Sequence, residues 1–252
     1  MILLLGGTSE SLKIADLLNQ KRLSYLLSVV SDYGLKVAQK HSSHVIKQIL
    51  TETNFQEFCQ KNKITYVLDA THPFAREISQ LAIHQTSELG IPYLRFERES
   101  LYENESHLKA FDSVSAVCSY LKNRSGLVYL STGSKTAGDF ATLLGVQRLH
   151  VRVLPTVKVL LALTEIGFTA AQIDALEGPF SQRLNEELFL RAHASWVVTK
   201  ESGRQGGFLE KLSACQNLKL PCLIIRRPRI SYPVQVNSLK DLELKLEAQN
   251  VR

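Results

Sequence analysis

Met1-Ile2-Leu3-Leu4-Leu5-Gly6-Gly7-Thr8-Ser9-Glu10-Ser11 opens the chain and decides its fold. The apolar run Ile2–Leu5 predicts a short buried strand of a parallel sheet, far too short to cross a membrane. Gly6 and Gly7 let the backbone turn sharply and leave room for a ligand against bare main chain. Thr8 or Ser9 then caps a helix whose apolar positions Leu12, Ile14, Ala15, Leu17 and Leu18 follow helical spacing. The positive end of such a helix favours an anion over the turn, such as a phosphate. The third glycine of a G-x-G-x-x-G fingerprint is absent, so the motif alone leaves phosphate binding and a plain turn both open.

Outward from this turn the pattern repeats. Tyr25–Val30 reads as a second strand ending in Ser31-Asp32-Tyr33-Gly34, where a Rossmann-type unit places the adenosine ribose. Asp32 would accept from a ribose 2′-hydroxyl, and Ser31 with a nearby cation would instead take a 2′-phosphate; Asp32-Tyr33-Gly34 reads equally as a helix cap. His44–Ile49 follows as a strand and Thr53–Lys61 as a helix. Ile64–Leu68 then leads into Asp69-Ala70-Thr71-His72-Pro73-Phe74-Ala75, with Pro73 expected as the first helical residue. The helix closes at Gly90, and Ile91–Arg98 is another strand carrying Arg95 and Arg98. Strands and helices alternating at these lengths predict a doubly wound parallel sheet.

Around Leu101–His107 the chain turns polar, a candidate junction, and a second α/β series follows. Leu127–Leu130 runs into Ser131-Thr132-Gly133-Ser134-Lys135, a small-residue turn suited to phosphate but no Walker loop. Leu149–Leu154 is a strand, Asn185 lies on a helix after Gly178-Pro179-Phe180-Ser181, and Trp196–Lys200 is a strand ending at Glu201-Ser202-Gly203. Leu223–Arg226 closes the sheet, and the helix Ser238–Ala248 reads as docked on the surface.

A length of 252 residues allows one large domain or two of about 100–130 residues. The 44% hydrophobic and 21% charged residues are the balance of an ordinary soluble globular protein. Thirty Lys and Arg against 24 Asp and Glu leave a formal charge of +6, which suits an anionic partner: nucleic acid, a phosphate cofactor or a polycarboxylate. No Lys/Arg tract marks a nucleic-acid patch, and Arg226-Arg227-Pro228-Arg229 is the one dense basic cluster. Cys59, Cys118, Cys215 and Cys222 lack C-x-x-C spacing, which predicts reduced thiols in a cytoplasmic protein and no zinc site. His41 and His44 are three apart but have no third ligand nearby, so they read as surface or structural. No export signal or membrane span is expected.

Gly6-Gly7-Thr8-Ser9-Glu10, Asp69 to Ala75, Arg95 with Glu97-Arg98 and Thr132-Gly133-Ser134-Lys135 together resemble motifs of the precorrin-6A reductase family, which includes the cobalt-precorrin-6A reductases of cobalamin biosynthesis. So do Arg152-Val153-Leu154-Pro155, Gly178-Pro179-Phe180-Ser181 with Asn185, Thr199-Lys200-Glu201-Ser202-Gly203 with Gly206-Gly207, and Arg226-Arg227-Pro228, all in order along nearly the whole chain. Ser11 departs from the glycine that such proteins often carry there, implying a tighter approach of the cofactor.

The resemblance implies an α/β protein of two Rossmann-like doubly wound domains with a cleft between them, here residues 1–102 and 103–252. It implies reduction of one double bond in a corrin-precursor macrocycle by hydride from NADPH, with NADH the alternative. Carried over by residue, Gly6, Gly7, Thr8 and Ser9 hold the pyrophosphate and Ser31 the ribose region. Thr71 and His72 border the nicotinamide, while Thr132, Gly133 and Lys135 close the cleft. Arg95, Arg98, Asn185 and Lys200 contact macrocycle carboxylates, and His72, Lys200 or solvent supplies the proton. The implied partners are an anionic tetrapyrrole and other enzymes of the same pathway, with neither nucleic acid nor membrane, and any cobalt arrives inside the substrate. The rival readings are another nicotinamide-dependent oxidoreductase and a non-enzymatic binder of nucleotide or nucleic acid.

Overall fold

The computed structural model describes residues 1–97, 108–201 and 207–249. The chain divides into two compact units, Met1–Glu99 with Pro228–Arg252, and Ser100–Arg227. In the first, β1 (Ile2–Leu5), α1 (Ser9–Gln20), β2 (Tyr25–Val29), α2 (Asp32–Ala38), β3 (Val45–Lys47), α3 (Phe55–Lys61), β4 (Tyr66–Asp69), α4 (Arg76–Leu89) and β5 (Tyr93–Phe96) alternate as the sequence predicts. Period-two alternation splits β1 between two cores. Ile2 and Leu4 pack with Ile14 and Leu18 of α1, while Leu3 and Leu5 pack with Phe55 of α3 and Ala82 of α4.

The second unit runs β6 (Lys109–Phe111), α5 (Val114–Leu121), β7 (Leu127–Ser131), α6 (Ala137–Leu144), β8 (Leu149–Val153), α7 (Val157–Ile166), β9 (Ile173–Ala175), α8 (Gln182–Arg191), β10 (Ala194–Lys200), α9 (Phe208–Asn217) and β11 (Cys222–Ile225). Its strands pair in parallel in the order β6-β11-β10-β7-β8-β9. Tyr129, Val197 and Ile224 face Phe189 of α8 and Phe208 and Leu212 of α9.

The end of the chain returns to the first unit, which corrects the division expected at residue 102. β12 (Gln235–Val236) pairs in parallel with β5, and Leu242 and Leu246 of α10 (Leu239–Ala248) are buried in the same core as Ile2 and Leu4. Those two leucines, one helical turn apart, contribute about 1.5–3 kcal/mol each when buried, and Tyr66 Oη donates to Gln249 Oε1 at 2.6 Å. The first sheet is therefore β12-β5-β4-β1-β2-β3, all parallel. This is the 3-2-1-4-5-6 order of a dinucleotide-binding fold, and the second sheet has it too when counted from β7, with β6 as sixth strand.

Two local readings change. Pro73 is not helical: α4 starts at Arg76 with Ala75 as its cap, leaving 72–75 as a turn. Three strands without a marked periodicity, β6, β9 and β12, have 3, 3 and 2 residues and lie at sheet edges. The polar junction at 101–107 lies outside the described residues.

Candidate active site

In a doubly wound sheet the ligand crevice opens at the carboxyl ends of the strands where their order reverses. In the first unit that point lies between β1 and β4, and both motifs singled out in the sequence meet there. Gly6 N–H donates to Ser28 O at 2.9 Å, and Gly7 turns with φ +104°. A Cβ at Gly6 would lie 2.5 Å from Leu27 Cδ1, whereas a Cβ at Gly7 would meet nothing within 4 Å. Bare backbone thus faces open space at the start of α1, a cradle that fits a pyrophosphate. Thr8 caps α1: its Oγ1 accepts from Ser11 N–H at 3.1 Å and donates to Ala70 O at 2.7 Å, joining the two loops. Its one hydroxyl proton is spent on Ala70, so Thr8 has none to give a phosphate through its side chain. Ser11 is fully buried and donates to Thr8 O at 2.6 Å, so its side chain points inward and does not crowd the cradle. Ser9, one residue on, is exposed and donates to Glu10 Oε2 at 3.3 Å.

Beneath β4 a buried network fixes the second loop. Asp69 Oδ1 accepts from Arg95 Nη1 at 2.7 Å, Thr71 Oγ1 at 2.7 Å and Thr71 N–H at 2.9 Å. Its Oδ2 accepts from Ser79 Oγ at 2.6 Å and Tyr93 Oη at 2.7 Å. Burial pushes the Asp69 carboxyl up, but Arg95 and these donors outweigh it and hold it below the usual carboxylate range. Arg95 also donates to Thr71 O at 3.1 Å and pairs with Glu97 at 3.0 Å, with Tyr232 lying 5.1 Å from its Cζ. It is fully buried. The expected contact of Arg95 with a substrate carboxylate is therefore corrected: Arg95 positions the Asp69–Thr71 turn. Thr71 likewise turns its hydroxyl inward. His72 is exposed, and its Nδ1 accepts from Phe74 N–H at 3.2 Å, which puts the ring proton of the neutral form on Nε2. Arg98 lies outside the described residues.

At the end of β2, exposed Ser31 caps α2 by accepting from Gly34 N–H at 3.0 Å. Asp32 pairs with Lys47 at the end of β3, 2.6 Å away, and the pair lowers the Asp32 carboxyl pKa. Hydroxyl, carboxylate and ammonium thus meet at the ends of β2 and β3. Lys47 was missed in the sequence because only strand pairing brings β3 beside β2.

The second unit's order reverses between β7 and β10, and Thr132, Gly133, Lys135 and Lys200 all lie at these carboxyl ends. Gly133 has φ +78° with nothing within 4 Å of a Cβ, the counterpart of Gly7. Thr132 is buried and accepts from Thr136 Oγ1 at 2.9 Å. Burial lowers the Lys200 pKa, and the exposed Lys135 lowers it further against the opposing charge of Asp139. The neighbouring Glu201 is buried and bound to Arg227 at 3.1 Å, which fixes the strand end.

Asn185 is fully buried, accepting from Arg152 Nη1 at 2.7 Å and donating to Ser181 O at 2.8 Å. Its expected role as a direct substrate contact is corrected to positioning Arg152. The sequence carried a signal for Arg152, a cation inside the apolar strand Leu149–Val153. On the same face Tyr129 donates to Asp174 Oδ2 at 2.7 Å and stacks on His150 at 5.2 Å. His150 Nε2 lies 3.1 Å from Asp174 Oδ2, within ion-pair range but without a hydrogen bond's alignment.

Among the described residues no helix is long and apolar enough to cross a membrane. The solved structure titled CobK precorrin-6A reductase superposes with a TM-score of 0.83 over 99% of this chain and 97% of that one, at 22% identity. The cobalt-precorrin-6A reductase of Methanocaldococcus jannaschii is 32% identical, with 96% of each chain covered. The precorrin-6A reductase of Rhodobacter capsulatus is 26% identical over 91% of this chain and 88% of its own. The family model described as precorrin-6x reductase CbiJ/CobK matches residues 1–247. With both glycine turns, the buried supports behind them and almost the whole length in register, the chain belongs to the precorrin-6x reductase family.

Proposed function

We propose that this protein reduces one double bond of precorrin-6A or its cobalt form to the 6B form, using NADPH, in the cytoplasmic pathway to cobalamin. The observation that carries this reading is the first unit's switch point. There Gly7 faces open space at the head of α1 while Thr8 locks that turn to the loop after β4. When bound, the reduced nicotinamide supplies the hydride, and the chain supplies position, exclusion of water and a proton. Gly6, Gly7 and Ser9 take the pyrophosphate, with Thr8 holding the loop from behind. Ser31 and Lys47 take the 2′-phosphate, which favours NADPH over NADH. Thr71, fixed by Arg95, shapes the nicotinamide side through its backbone, and His72 stands beside it.

Lys200 supplies the proton. Its lowered pKa makes the ammonium a stronger acid than a lysine in water. Lys135, Thr132 and Gly133 line the same strand ends. An anaerobic assay with precorrin-6A and its cobalt form, adding NADPH and NADH separately, tests the reading. Cofactor oxidation matched by a gain of two hydrogens in macrocycle mass is expected with NADPH. Tight dinucleotide binding with no turnover of either macrocycle would count for a different oxidoreductase.

A further inference from the structure

Arg152 is 6% exposed, and the partners it bonds are all neutral. Its Nη1 donates to Asn185 Oδ1 at 2.7 Å and its Nη2 to Ser131 Oγ at 2.6 Å, while Phe180 covers the guanidinium face with its ring centre 4.2 Å from Cζ. Asp174, in register on β9, is committed to Tyr129, His150 and Arg191, the last at 3.3 Å. Among the described residues no carboxylate pairs with Arg152. The charge of Asp174 reaches Arg152 from beyond ion-pair distance, yet burial still lowers the guanidinium pKa, so the cation is only partly compensated, a deficit that a bound anion removes.

A second buried cation adds to it. Lys211 on α9 is 5% exposed. Burial and the charge of Arg152 push its pKa down to about 7. The charge of its neighbour Glu210 opposes this shift without outweighing it, and Glu210 Oε2 is buried without a hydrogen bond. The position is also that of a ligand. Arg152 stands near the carboxyl end of β8, and its partner Ser131 ends β7 directly before Thr132-Gly133. A planar fork held on both terminal nitrogens and stacked on an aromatic ring is preset for a carboxylate.

We infer that Arg152 seats one carboxylate arm of the macrocycle, with Ser131, Asn185 and Phe180 holding its guanidinium ready. This rests on the reductase reading above. The test uses Arg152→Gln and Arg152→Lys in the full chain, measuring macrocycle KM anaerobically and NADPH Kd by fluorescence titration. Arg152→Gln raises macrocycle KM about 10–100-fold, the worth of a charged hydrogen bond, and leaves NADPH Kd unchanged. Arg152→Lys, which keeps the charge and loses the fork, falls between and decides the matter if the glutamine variant does not fold. Unaltered macrocycle KM in the variants overturns the seat. Lost NADPH affinity with unaltered macrocycle KM assigns the anion to the dinucleotide and overturns it as well, and parallel loss of both marks a structural fault and does the same. If the wild type reduces neither macrocycle, the reductase reading fails. Titration of wild type and Arg152→Gln with uroporphyrin, a stable polycarboxylate tetrapyrrole, then decides the seat alone: weaker binding by the variant upholds it and equal or absent binding overturns it.

Discussion

Arg95 Nη1 lies 2.7 Å from Asp69 Oδ1, and both side chains are sealed from solvent. The pair sits directly under the loop that reaches Thr8, so it carries the shape of that loop. Asp69→Asn removes one of the two carboxylates paired with the buried Arg95 and leaves Glu97, and a loss of about 3 kcal/mol is expected in chemical denaturation. Because the folded pKa of Asp69 is depressed, its contribution is present above the unfolded carboxylate pKa and lost as pH falls through the folded value. The acid limb of stability is expected to flatten in the variant.

Gly6 and Gly7 separate packing from binding. A Cβ at Gly6 would drive into Leu27 Cδ1 at 2.5 Å, so Gly6→Ala is expected to cost about 1–3 kcal/mol of stability by overpacking. Gly7→Ala meets no neighbour, and its positive φ costs about 1–2 kcal/mol. Its main effect is on the ligand: dinucleotide titration is expected to show a loss of affinity larger than its thermal shift accounts for.

In the proposed reading, Lys47 and Asp32 set the choice between NADPH and NADH. Lys47→Ala is expected to raise the KM for NADPH about tenfold, the scale of one phosphate contact, and to leave that for NADH unchanged. Asp32→Ala, which frees Lys47 from its 2.6 Å partner, is expected to lower the KM for NADPH. Steady-state kinetics with both dinucleotides reads each shift.

Lys211 makes stability climb with pH. Its pKa falls from 10.5 unfolded to about 7 folded, so between these values the unfolded chain holds a proton that the folded one has lost. Unfolding free energy therefore rises as pH increases from about 7 toward 10.5. Lys211→Met removes the titration, and denaturation curves across that window are expected to lose the climb, with the variant more stable than wild type at pH 6.

With Lys200 as the proposed proton donor, the rate carries a pH signature. As the donor Lys200 must be protonated, so kcat falls as pH rises through its lowered pKa. Lys200→Arg, which keeps charge but does not release its proton, is expected to lose most of kcat and the alkaline fall together, with dinucleotide affinity intact. An unchanged profile in the variant would leave the proton to His72 or solvent.

Much of the frame was legible because its signals are local. Ile2–Leu5 is apolar throughout, Gly90 closes α4 in a left-handed turn, and Thr156 and Ser181 cap their helices by their own hydroxyls. The edge strands β6, β9 and β12 were not, because a piece of two or three residues has no period and forms only when a neighbour supplies hydrogen bonds. Site residues divided the same way. Gly7, Gly133, Lys135 and Lys200 stand where their motifs put them, at strand ends. Arg95 and Asn185 also stand at strand ends or helix starts, yet both are closed inside.

The sequence by itself determined the alternation of helices with the inner strands, the glycine turns after β1 and β7, and the charge that favours anions, since each follows from neighbours along the chain. Only the tertiary structure decided that Thr8 spends its proton on Ala70, that Arg95 reaches Asp69 across 26 positions, that Arg152 meets Asn185 across 33, and that α10 docks beside β1. The reason is physical. A polar side chain bonds or binds according to what burial leaves beside it, and burial is set by segments distant in the chain.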